Sequence, residues 1–307
     1  MTTTIPGSTE VAHPQHRHPH TQHHVVGSGL SFAGILHSEW IKLRSVRSTL
    51  WCYVAIVVLT VGLGMLLAVA LPAPTTTPST NAQQSTWLTV TTLGVNFAQL
   101  IIAVLGALVI TGEYGTGMIR STFVAVPTRL PALAAKVLVF GVTTFVVSLA
   151  ALVATALATA PLLPAQGVHP DLGDTSIWIA LVGGAGYLTL IGCLALAIGT
   201  ILRSTAGSIA ASLGLVLVVP IILRVVANLT QAQWAANINV FLPSNAGGRL
   251  FAYPAATSSV LSPPAGTPNA TSLSTIVLEP WQALLVLAGW FVVALVVGAI
   301  LLKRRDA

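Results

Sequence analysis

Six stretches of this chain have the length and apolarity of membrane-crossing segments. They run over approximately residues 50–71, 88–110, 133–160, 177–201, 206–227 and 281–302. A bilayer core takes about 20 helical residues to cross. Hydrocarbon offers no partner to a free backbone amide, so each run must satisfy its own hydrogen bonds and is predicted to be an α-helix. The expected fold is therefore an all-α polytopic membrane protein with six transmembrane helices. Charge supports this. Only 7% of the residues are charged, against roughly 25% in a soluble domain that must dress its surface for water.

The basic residues orient the spans. With the N-terminus inside, Arg17, Lys42, Arg44, Arg47, Arg120, Arg129, Lys136, Arg203, Lys303, Arg304 and Arg305 fall on the inner side. Only Arg224 and Arg249 fall outside or in the outer half. Lys and Arg gather on the cytoplasmic side of membrane proteins, so both termini are expected in the cytoplasm. The net charge of +6 belongs to that pattern, and no nucleic-acid partner is expected. Cys52 and Cys193 lie inside apolar runs and read as small packing residues, with no disulfide framework. Residues 1–30 are polar, contain no apolar stretch of signal-peptide type, and read as a disordered tail with His13, His16, His18, His20, His23 and His24. The tail lacks Cys or carboxylate partners for those histidines, so no metal site is expected.

The connections differ in kind. Residues 72–86 and 161–176 are outer loops rich in Pro, Thr and other polar residues. The last outer connection, 228–280, is long enough to suggest function or disorder. Its first part, NVFLPSNAGGRLFAYP (239–254), is apolar enough to touch the membrane as a re-entrant hairpin; 257–272 reads as flexible loop. Gly183, Gly184, Gly186, Gly192 and Gly199 in span four, and Gly207, Ser208, Ala210, Ala211, Ser212 and Gly214 in span five, permit close helix approach. They suit packing within the chain or a dimer face.

Three polar features stand out. In SFAGILHSEWIKLRSVRS (31–48), Phe32, Ile35, Leu36, Trp40, Leu43 and Val46 form one apolar stripe, with Lys42 and Arg44 away from it. That pattern suits a helix lying on the inner leaflet. Glu39 falls within the stripe and needs a partner, either Lys42 three residues on or another protein surface. In the inner loop TGEYGTGMIRSTFVAVPTRLPALAAK (111–136), Gly112 and Gly117 have phosphate-loop spacing. Met118 and Ile119, however, replace the Lys and Ser/Thr such a loop requires. The chain is expected not to hydrolyse ATP and to bind no cofactor. Asn96 and Gln99, one turn apart in span two, could line a substrate path or bond a neighbouring helix. No span carries an acidic residue, His or Lys near its centre, which argues against a proton relay or an intramembrane metalloenzyme.

SEWIKLRSVRSTLW (38–51), GEYGTGMIRSTFVAVPTRLPALAAKV (112–137), FLPSNAGGRLF (241–251) and EPWQALLVLAGW with LLKRRDA at the end together resemble the type-2 ABC transporter permeases, the actinobacterial members especially. The resemblance covers residues 31–307 and excludes the histidine tail. It implies an amphipathic elbow helix over 31–48, a coupling helix near 113–129, and re-entrant outer helices near 239–254. It also implies a second permease subunit and a separate cytosolic ATPase. On that basis the ATPase contact runs over Glu39, Lys42 and Arg44 and over Glu113, Tyr114, Gly117, Arg120 and Arg129. The mostly apolar spans make an amphipathic drug, antibiotic or lipid-like cargo the expectation. A secondary transporter, a membrane enzyme and a membrane assembly or sensor protein are the competing readings.

Overall fold

The computed structural model describes residues 31–72, 74, 78–115, 130–254 and 276–304, the side chain of Lys303 excepted. Six helical stretches are long and apolar enough to cross a membrane. Helix α1 (Phe32–Ser45) comes first, with Ser31 Oγ accepting from the Gly34 amide at its N-terminus. One extended residue, Val46, separates it from α2 (Arg47–Ala70), the first span. Span two is broken: α3 (Thr80–Thr92) and α4 (Val95–Gly115) meet at Leu93–Gly94. Span three is α5 (Leu130–Thr159) and span four α6 (Thr175–Leu202). Span five joins α7 (Thr205–Leu213) to α8 (Val219–Thr230) through a wide π turn, Gly214–Val218. Pro220 follows that turn. Proline removes a backbone donor and crowds the preceding turn, and a local widening accommodates it. Two short helices, α9 (Gln233–Val240) and α10 (Pro243–Gly248), precede the last span, α11 (Pro280–Arg304).

Helix α6 is the axis of the bundle. It packs on α4, α5 and α11, and its membrane-length window is the most enclosed of the six. Lipid tails are as apolar as leucine, so helices associate in a bilayer through close packing rather than hydrophobic expulsion. Small residues make that closeness possible. A Cβ on Gly106 of α4 would stand 2.2 Å from the carbonyl oxygen of Gly192 on α6. Gly192 is also closed in by Ile102 and Phe140, and Gly199 by Ile110. These glycines therefore serve packing within the chain. Gly186 and Gly214 have nothing near their Cβ positions, while Ser208 and Ser212 face inward.

Three sequence expectations change. Span two begins at Thr80 rather than near residue 88, so the outer loop expected over 72–86 is helical from residue 80 onward. Ser79 caps this helix, and its polar residues have partners. Gln84 Nε2 donates to the His169 carbonyl at 3.1 Å, and Gln84 Oε1 accepts from the Asp171 amide at 3.1 Å. Polarity here marks docking onto the 161–176 connection, not a free loop. That connection itself holds a short 3-10 helix, Leu163–Gln166. Finally, Asn96 is exposed while Gln99 is buried, so only Gln99 reaches into the bundle.

The segment 239–254 folds back onto α6. The Leu250 carbonyl oxygen occupies the space beside Gly183, and the Tyr187 ring lies against Gly247. Phe251 packs on Tyr187 with ring centroids 5.6 Å apart. Tyr253 donates to Asp174 Oδ2 at 2.7 Å, while Asp174 Oδ1 accepts from the Ser176 amide at the start of α6. The hydrogen bond from Tyr253 holds the Asp174 carboxyl below the usual aspartate range. The flexible loop expected at 257–272 and the histidine tail at 1–30 lie outside the described residues.

Candidate functional site

Four charged side chains from three helices meet at one end of the bundle. Glu39 and Lys42 come from α1, Glu113 from the last turn of α4, and Lys136 from the second turn of α5. Lys136 Nζ donates to Glu39 Oε2 at 2.5 Å and to Glu113 Oε1 at 2.8 Å. Lys42 Nζ donates to Glu39 Oε1 at 2.7 Å and to Glu113 Oε1 at 3.3 Å. Each lysine thus spans both carboxylates, and the quartet carries no net charge.

The local sequence explains this placement. Glu39 lies between Ile35 and Leu43 on the apolar face of α1. Ile35 packs against Ala135 of α5, which carries Glu39 down beside Lys136. Glu39 is only 4% exposed and Lys136 6%. A charge in such surroundings persists only with good partners. Burial pushes the Glu39 carboxyl up, but the adjacent Lys136 charge and the hydrogen bonds from Lys136 and Lys42 outweigh it, leaving it below the usual glutamate range. Burial likewise pulls Lys42 down, and its bonds to Glu39 and attraction to Glu113 more than restore it, so it ends raised.

A cavity of about 330 Å³ opens beneath the quartet. Its lining is apolar at Leu105, Leu108, Val139 and Phe140 and polar at Lys42, Ser45 and Ser48.

Glu39 meets lysines from two helices. The local pair with Lys42 is present, and Lys136 of the same chain is a second partner. Arg44 is exposed on the opposite side of α1. Tyr114 lies beneath Arg203, whose guanidinium carbon sits 5.4 Å from the ring centroid. This contact ties the end of α4 to the left-handed residue that terminates α6. Gly117, Arg120 and Arg129 lie outside the described residues. Asn96 points outward. Gln99 Nε2 donates to the Asn96 carbonyl at 2.9 Å, and Gln99 Oε1 accepts from the Tyr187 hydroxyl. Gln99 therefore bonds a neighbouring helix. Among the described residues, no group of three or more His, Cys, Asp or Glu could hold a metal.

Sequence reasoning missed Lys136 as a site residue and counted it only as an inner-side charge. The signal was present: a lysine inside the apolar stretch LPALAAKVLVF needs a partner. Arg203 was missed similarly.

A family model described as ABC-2 family transporter protein matches residues 33–307. No curated protein matches the chain.

Proposed function

The chain belongs to the ABC-2 transporter family as a multi-pass membrane permease, and from that premise we propose that it is the translocating subunit of an ATP-driven exporter. A separate cytosolic ATPase hydrolyses ATP, and a second permease subunit completes the path. This chain performs no catalysis and binds no cofactor. It sits in the cell membrane with both termini in the cytoplasm, where the clustering of Lys and Arg favours them. Its cargo is an amphipathic drug, antibiotic or lipid-like molecule, in keeping with its mostly apolar spans.

The observation that carries this reading is the quartet. Glu113 and Lys136 flank the 116–129 segment, one from each side, and both engage the α1 pair. A push on that segment from a docked ATPase reaches Glu113 and Lys136 first. Through them it reaches Glu39, so α1, α4 and α5 move together. Charges buried in this way transmit displacement because separating them costs several kcal/mol. Arg120 and Arg129 then supply the ATPase-facing contacts, and α1 serves as the elbow.

The test is the variant E113A/R120A, reconstituted with its ATPase partner. Transport should fall while the helical fold and membrane insertion persist. Wild-type transport with full ATPase stimulation would sink the assignment.

A further inference from the structure

The opposite side of α1, where the family resemblance had set Arg44 against the ATPase, carries a second feature that the quartet does not use. Trp40 and Arg44 are one helical turn apart and share a face, turned away from the quartet. They stand at the head of an apolar groove of about 480 Å³ between α2 and α5. Leu50, Val54 and Val58 of α2 form one wall, and Val147 of α5 forms part of the other. The α2 residues that line it, Thr49 to Val58, span about 14 Å at 1.5 Å per residue. Leu50 is 55% exposed and Val58 65%, so the groove opens outward from the bundle along the first span.

The geometry points to a binding site for one anionic phospholipid, its phosphate on Arg44 and an acyl chain along the groove. The lining is apolar along the part that runs beside a membrane span, which matches hydrocarbon. Among the described residues its one charged lining residue is Arg44, and no carboxylate lines it, which matches a phosphate. Trp40 is an amphipathic ring of the kind that settles at the level of lipid headgroups. A second protein copy would have to bring its own anion to the same place, and a lipid brings one with its tail attached. The bound lipid fills the angle between α1, α2 and α5, and so holds α1 against α5 from the side opposite the quartet.

The inference rests on membrane insertion and not on ATPase coupling, so it can be tested on the permease chain alone. Purified chain is placed in nanodiscs of phosphatidylcholine with added phosphatidylglycerol. Native mass spectrometry then counts the lipid it retains. Wild type should retain phosphatidylglycerol over phosphatidylcholine by about fivefold, the preference one interfacial arginine confers. R44Q should lose the headgroup preference and still hold lipid of either kind. V54W, which fills the groove without touching the charge, should lose retention of both. Equal retention of the two lipids by wild type would overturn the proposal, as would a preference surviving in R44Q. If V54W instead converts a dimer to a monomer while lipid retention stays at the wild-type level, the groove seats a second copy and the lipid assignment fails. None of these readouts depends on the outcome with E113A/R120A.

Discussion

At the scale of single residues, Lys136 decides whether the quartet is an asset or a defect. It contacts both carboxylates and is 6% exposed. In K136M the two carboxylates share Lys42 alone. Removing one partner from a buried ion network costs about 3–5 kcal/mol, because the remaining charge stays buried. Thermal unfolding in detergent should show that loss, and E39Q in the K136M background should recover much of it. Acid should act on the quartet through Glu39. Glu39 has a folded-state pKa below its ordinary 4.5. Its contribution is therefore complete above that value and disappears as pH falls through the lower, folded one. The lysine charge is the chief cause of the lowering, so K136M should also flatten this acid-side decline. A decline of the same size in K136M would mean that another group controls it.

At the scale of helices, the close crossing of α4 and α6 depends on two glycines facing each other. G106A places a methyl 2.2 Å from the backbone oxygen of Gly192 and close to the Leu196 amide, so a backbone and not a flexible side chain would have to move. Overpacking of this kind costs about 1–3 kcal/mol. Gly186, six residues before Gly192 on the same helix, meets nothing. G186A should be neutral or stabilise by about 0.5–1 kcal/mol through helix propensity. The two variants, compared by thermal unfolding, separate packing from propensity; equal losses would refute the crossing. The same helices show what sequence can disclose. Six spans were legible because twenty apolar residues in a row have few other fates. The start of span two was not, because Gln83 and Gln84 read as loop until their partners at His169 and Asp171 are seen. Which glycines touch other helices was equally hidden. Gly186 and Gly192 are the same residue type on one helix, and only three-dimensional packing distinguishes them. Glu39 announced that it needed a partner, but Lys136 is 97 residues away, and a pairing at that range is set by the fold.

At the scale of the whole molecule, orientation relative to the two aqueous sides governs everything proposed about the ATPase. Six spans put both ends of the bundle core on one side, whichever side that is. The quartet belongs to that side too, since α4 ends and α5 begins there. The connection through α9 and α10 lies at the other end, where Asp174 and Tyr253 meet. The proposed orientation puts the quartet end inside; with that end outside, Lys42, Arg44, Arg47, Lys136 and Arg203 would stand on the outer face, the reverse of the usual bias. A labelling experiment on intact cells resolves the sign. In a chain with Cys52 and Cys193 replaced by alanine, a single cysteine goes at position 32, the start of α1, or at 229, the outer end of α8. Leu229, next to the last residue of α8, is 81% exposed, so no other part of the described fold covers a thiol there. A membrane-impermeant maleimide should label L229C in intact cells and F32C only after permeabilisation. The reverse pattern would put the quartet outside, beyond reach of a cytosolic ATPase. It would remove the coupling proposal while leaving the family, the six spans and the packing unchanged.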